Sequence, residues 1–147
     1  ATPAVQLSAP DGLIAALGIE PLWVGQSKFD LLVEVASESE VRAMTPDIAA
    51  MKKLGGRGVI VTSQASTPGY DFVSRFFAPA FGIDEDPVTG SAHCTLAPYW
   101  EPKLGKSEMV GYQASKRGGV VRVRRVGDRV MLGGQAVTVM RGEMGQE

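Results

Sequence analysis

One stretch of the chain gathers most of the side chains able to do acid–base or nucleophilic work. It reads Phe81-Gly82-Ile83-Asp84-Glu85-Asp86-Pro87-Val88-Thr89-Gly90-Ser91-Ala92-His93-Cys94 and holds the only histidine and the only cysteine of the protein. Thr89, Gly90 and Ser91 stand where a helix is predicted to begin. The first turn of a helix has N–H groups with no internal partner and carries the positive end of the dipole. Gly90 lets a ligand come close to the backbone, and the hydroxyls of Thr89 and Ser91 add donors. A carboxylate or an enolate-like oxygen is stabilised in such a place. The plainer alternative is that Thr89 or Ser91 simply caps the helix.

Asp86 precedes Pro87, which removes one N–H and biases Asp86 toward an extended backbone. That geometry holds a carboxylate toward the helix mouth, where it can serve as acid or base or bind an amine. The alternative is an exposed turn in which Asp84, Glu85 and Asp86 all face water. Three adjacent acids without the spacing of a calcium loop make a poor metal site. His93 and Cys94 are neighbours about 100° apart on a helix and do not face each other. Cys94 reads as a small core residue and His93 as a local hydrogen-bonding group.

The elements that must position this stretch can be read from the flanking sequence. Ala92, Leu96, Trp100 and Leu104 repeat every four residues, which predicts a helix from Ser91 to about Leu104. Few charges occur before Glu101, so the helix reads as central and buried, with Pro98 expected to kink it or end it early. Pro3–Leu7 reads as a short edge strand, and Leu22–Gln26 and Phe29–Ala36 as strands, the last with Asp30 and Glu34 on its polar side. Asp11 is expected to cap a short helix that leaves through Gly18. Ser37 and Glu40 have capping-box spacing for a helix over 38–44, and Pro46 fits the first turn of another. Gly58–Ser63 reads as a buried strand, and Tyr70–Ala78 as a strand with Phe72, Phe76 and Phe77 in the core. A meander is expected from Val120–Val126, Arg129–Leu132 and Gln135–Met140. The fold class is α+β, a mixed sheet wrapped around one helix.

Composition narrows the function. The 147 residues suit one domain, and 44% hydrophobic against 21% charged residues is a globular balance. Net charge is -1, which argues against a globally basic nucleic-acid binder. Arginines 117, 122, 124, 125 and 129 make the last third locally basic, but alternation with valines explains them as the wet face of a strand. No aromatic platform lies between Ala114 and Glu147. One cysteine excludes an internal disulfide, and one histidine leaves little for a structural metal. No apolar run reaches bilayer length and the first ten residues lack signal-peptide character, so a cytoplasmic protein is expected.

The run Arg75-Phe76-Phe77-Ala78-Pro79, Gly82-Ile83 and Glu85 to Cys94 resembles the signature of the PhzF-like family, the phenazine-biosynthesis isomerase and its relatives. Leu96-Ala97-Pro98-Tyr99-Trp100, Gln113-Ala114-Ser115, Arg117-Gly118-Gly119 and Gly134-Gln135-Ala136-Val137 follow in the expected order. The resemblance implies a diaminopimelate-epimerase-like fold, in which two similar halves each wrap a sheet around a helix and enclose a cleft. It implies isomerase or epimerase chemistry by proton transfer, without metal or organic cofactor. It assigns Asp86 to the acid–base site and Thr89, Gly90 and Ser91 to binding of the substrate's acidic group. The substrate class implied is a small carboxylic acid.

The resemblance covers the second half of the family only, so residues 1–147 are expected to form a single domain equivalent to that half. The first half normally supplies a glutamate acid/base and a nearby histidine, and neither has a counterpart here. The chain therefore carries one wall of an active site and is expected to be weak or inactive by itself. It is expected to pair with a first half or to form a homodimer that brings two Asp86–Ser91 segments to a shared cleft. The alternative is a non-catalytic carboxylate-binding or structural domain.

Overall fold

Apolar residues run consecutively along the middle strands, so successive side chains fill both faces of the sheet. The computed structural model describes residues 1–143 and 145. The elements run β1 (Val5–Gln6), α1 (Leu13–Leu17), β2 (Trp23–Gln26), β3 (Asp30–Glu34), α2 (Glu38–Ala43), α3 (Ile48–Lys53), β4 (Gly58–Gln64) and β5 (Phe72–Phe77). A 3₁₀ turn (Pro79–Phe81), α4 (Gly90–Leu104), β6 (Glu108–Gln113), β7 (Gly119–Val126) and β8 (Arg129–Gly133) follow. The eight strands form one sheet in chain order. Pairing is antiparallel except at β3–β4 and β5–β6, the two places where a helix crosses over.

These two crossovers explain the layering. Right-handed crossovers dominate because strand twist favours them. Because β4 and β5 are antiparallel, the same handedness sends successive crossover helices to opposite faces. Leu31, Val33, Val59, Val61, Val73 and Phe77 accordingly pack under α1, α2 and α3. Leu32, Ile60, Phe72, Phe76, Met109, Val121 and Val123 pack against α4. The sheet curls far enough to enclose α4: the Ala1 main-chain nitrogen, ahead of β1, lies 2.6 Å from the Asp128 carbonyl between β7 and β8.

Inside this wrap α4 buries Leu96 and Trp100, as the four-residue spacing predicts. The Trp100 indole N–H donates to Thr62 Oγ1 at 3.1 Å and its ring stacks on Phe72. Pro98 does not end the helix early: α4 runs on to Leu104, the end that the four-residue spacing predicts. A proline frees the carbonyl four residues earlier, here that of Cys94, and the Thr2 N–H donates to it at 2.9 Å. Thr2 and Thr95 hydroxyls meet at 2.8 Å beside it. A bond from across the fold thus replaces the one that Pro98 removes.

Other expectations need correction. Asp11 does not cap α1; Gly12, at φ 83°, precedes it without a side-chain cap. Pro46 lies before α3 rather than in it, because Asp47 is the cap and accepts from the Ala50 N–H at 2.9 Å. Ser37 does cap α2, but Glu40 reaches back to the Ala36 N–H and not to that of Ser37. Asp30 is not on a wet face: it is 1% exposed and gripped by Arg57. Gln135–Met140 forms no strand among the described residues and is exposed throughout. No helix among the described residues is long and apolar enough to cross a membrane.

Candidate functional site at the N-terminus of the central helix

After β5 the chain turns through the 3₁₀ turn and comes back against the strand it left. Ala78 and Ile83 exchange backbone bonds, and the Asp86 N–H donates to the Phe76 carbonyl at 3.0 Å. Arg75 fixes this return. Its guanidinium forks onto Glu85 at 2.7 and 3.0 Å and donates to the Met44 carbonyl at 2.7 Å. Glu85 is therefore a half-buried structural partner, while Asp84 faces water. The three acids do not behave as one exposed turn.

Asp86 sits half-buried with its Oδ2 accepting from Thr89 Oγ1 at 2.5 Å. Thr89 is the N-cap by backbone position, yet no side chain caps α4. Its hydroxyl is spent on Asp86, so the plain capping alternative fails for Thr89. The buried Gln113 side chain ties the segment together. Its Oε1 accepts from the Thr89 N–H at 2.8 Å, and its Nε2 donates to the Asp86 carbonyl at 2.7 Å and to Thr89 Oγ1 at 3.1 Å. Ser115 donates to the Pro87 carbonyl at 2.8 Å and accepts from the Gly118 N–H at 3.1 Å.

Two glycines let this clamp close. Gly118 has φ 72°, and a Cβ there would lie 2.2 Å from the Tyr112 Oη; one on Gly119 would lie 2.2 Å from Val88. A side chain at Gly118 would collide with the Tyr112 ring and one at Gly119 with the Val88 side chain. The Gln113-Ala114-Ser115 and Gly118-Gly119 pieces of the sequence thus act on the Asp86–Thr89 piece directly.

Gly90 opens α4 beside a cleft of about 780 Å³ lined by Val88, Arg117–Val121, Leu132 and the exposed 133–137 segment. Ser91 Oγ accepts from Arg57 Nη2 at 3.0 Å. The predicted four therefore divide. Asp86 and Thr89 are hydrogen-bonded to each other, Gly90 lines the cleft, and Ser91 is held by Arg57, the residue just before β4.

His93 is fully buried, and its Nδ1 lies 2.8 Å from the Thr89 carbonyl. A carbonyl only accepts, so Nδ1 carries the proton. Burial pushes its pKa below the usual histidine value against the contrary pull of that bond, and Nε2 has no partner. The local hydrogen-bonding reading of His93 matches this. Cys94 is half-buried rather than a core residue. Among the described residues no three His, Cys, Asp or Glu side chains cluster as metal ligands would. Sequence reasoning assigned no role to Gln113, Ser115 or Arg57; the first two appeared only as motif letters.

A family model for the phenazine biosynthesis-like protein matches residues 9–142. The chain belongs to the PhzC-PhzF family. It is 52% identical over 135 residues to an uncharacterized isomerase of Halalkalibacterium halodurans, covering 92% of this chain and 51% of that protein. An uncharacterized isomerase of Pseudomonas aeruginosa is also 52% identical, over 88% of this chain and 49% of its own length. The crystal structure of a PhzF-family phenazine biosynthesis protein from Enterococcus faecalis superimposes with a TM-score of 0.84 at 39% identity, over 89% of this chain and 50% of that one. The fold is diaminopimelate-epimerase-like, a mixed α+β sheet around a helix. The chain spans about half the length of the relatives it matches.

Proposed function

We propose that this chain forms one wall of an isomerase site that transfers a proton on a small carboxylic acid. Asp86 is the acid/base of this wall, and the N-terminus of α4 at Thr89, Gly90 and Ser91 binds the acid group. The observation that carries the reading is the preorganised Asp86. Its Oδ2 accepts a hydrogen bond from the Thr89 hydroxyl while Gln113 fixes the backbone on both sides, so the carboxyl needs no reorganisation to meet a substrate. The names of two relatives, each an isomerase, support the reaction class.

An isomerisation by proton transfer takes a proton from one atom and returns one to another. One carboxyl can shuttle the proton, but the family pattern uses a second acid/base. We propose that this second group comes from outside these 147 residues, from a first half or from a second copy of the chain. Exposed apolar side chains around the Gly90 cleft support pairing: Leu132 and Val137 line it, and Met131, Val139 and Met140 are exposed nearby in sequence.

The test is solvent deuterium incorporation, followed by NMR, into hydroxy- or amino-substituted cyclic acids. Exchange is expected when the second wall is present and is expected to fall about 10²–10⁴-fold in Asp86→Asn. Exchange unchanged in Asp86→Asn removes Asp86 from the reaction. Carboxylate binding with no exchange under any pairing leaves a binding domain instead. Light scattering of these residues alone is expected to give a dimer; a monomer at high concentration ends the homodimer claim.

A further inference from the structure

Ser91 is not a free hydroxyl, and the group that holds it belongs to an unusual arrangement. Arg57 Nη2 donates to Ser91 Oγ at 3.0 Å. The same guanidinium forks onto Asp30, with Nε to Oδ1 at 2.8 Å and Nη2 to Oδ2. Asp30 opens β3 and pairs in register with Gly58 at the start of β4, so its buried carboxylate and the Arg57 backbone are fixed by the sheet. The guanidinium carbon lies 4.8 Å from the Phe29 ring centroid and 5.9 Å from that of Phe76. Two carboxylate oxygens and two rings therefore hold it in one place.

The consequence follows from donor counting. A serine hydroxyl has one proton and two lone pairs, and a guanidinium has donors only. Arg57 occupies a lone pair of Ser91 Oγ, which leaves the hydroxyl proton to point elsewhere. Ser91 is the second residue of α4, so no helical carbonyl stands one turn behind it to take that proton. A free serine greets an N–H and a carboxylate alike. Ser91 held by Arg57 presents its proton, at the helix end where backbone N–H groups also point outward.

We infer that Arg57, locked by Asp30, is a positioning residue that fixes Ser91 as a hydrogen-bond donor and makes the α4 N-terminus prefer a carboxylate to the neutral amide of the same shape. This rests on the proposed role of Ser91 in binding an acid group. A carboxylate accepts at both oxygens, from the Ser91 hydroxyl and from the backbone N–H groups of the first turn; an amide accepts at one and turns its NH2 group toward the other donors.

The test is calorimetry on purified protein with sodium benzoate and benzamide as probes. The double variant Asp30→Leu with Arg57→Met removes both charges, so the net charge is unchanged. Replacing a buried pair by apolar side chains is often tolerated, and thermal unfolding checks the fold. The benzoate-to-benzamide affinity ratio is expected to fall about three- to tenfold, the scale of one ordinary hydrogen bond. Arg57→Lys keeps the charge but loses the fork and is expected to lower the ratio too, which carries the test if the double variant fails to fold. An unchanged ratio in either folded variant overturns the inference while leaving the carboxylate site intact. Wild-type protein that binds benzoate no better than benzamide overturns both.

Discussion

Removing the Gln113 side chain should damage the site and the fold together, and the size of the effect can be worked out. In Gln113→Ala three hydrogen bonds vanish. The Asp86 carbonyl is half-buried, where water can replace the lost partner, and the buried Thr89 hydroxyl keeps its bond to Asp86, so each costs about 0.5–1.5 kcal/mol. The Thr89 N–H is buried and is left without a partner, at about 1–3 kcal/mol. The sum is about 2–6 kcal/mol, a large share of the roughly 5–15 kcal/mol that keeps a domain folded. Gln113→Leu separates hydrogen bonding from packing, because it nearly restores the volume without donor or acceptor. Urea unfolding is expected to show both variants destabilised by at least about 2 kcal/mol. Hydrogen exchange at the Thr89 amide is expected to accelerate in both. A Gln113→Leu protein within about 0.5 kcal/mol of wild type, with Thr89 still protected, would refute the reasoning and reduce Gln113 to a space filler.

The buried Glu38 carboxylate resists ionisation through burial, but bonds from Thr67, Arg42 and Ser66 outweigh this and hold its pKa down at about 2. A depressed carboxylate stabilises above its unfolded pKa of 4.5. About 2–3 kcal/mol should therefore be lost as pH falls from about 4.5 toward 2, and Glu38→Gln should flatten that part of the stability-against-pH curve. The unfolded chain takes a proton on His93 that the folded protein resists, so stability should also begin to fall below about pH 6.5. Nitrogen NMR at pH 7 is expected to find the neutral ring with its proton on Nδ1; a ring already charged above pH 6.5 refutes this. A Cβ on Gly90 would sit 3.4 Å from Leu132 Cδ1, so Gly90→Ala should fold normally. Gly90→Val should weaken benzoate binding more than Ser91→Ala, because backbone donors survive the loss of one hydroxyl. Equal benzoate affinity for Gly90→Val and wild type puts the anion elsewhere.

The elements that were legible in the sequence are those whose causes are local. Gly58–Ser63 is a β-branched run and is a strand because both of its faces are covered. The α4 pattern shows because its buried face repeats every four residues. Pro98 does not end α4 early, and the carbonyl it frees is taken by Thr2, 96 positions away, a bond that no local rule contains. Asp30 looked like a wet-face residue for the same reason: its partner Arg57 lies 27 positions further on. Gln135–Met140 has strand composition, but a strand needs an edge to join, and none among the described residues takes it. The site divides similarly. Asp86 to Ser91 is contiguous, so it stands out as a candidate from the sequence alone, whereas Gln113, Ser115 and Arg57 come from 24, 28 and 34 positions away.

The central claim is that Asp86 and the first turn of α4 form one wall around an acid group. A crystal structure with sodium benzoate soaked in tests it most directly. The account predicts a carboxylate within hydrogen-bonding distance of the Gly90 and Ser91 N–H groups, with Asp86 Oδ1 facing the bound ring. Benzoate bound away from the α4 N-terminus, or bound there with Asp86 turned from it, would contradict the account.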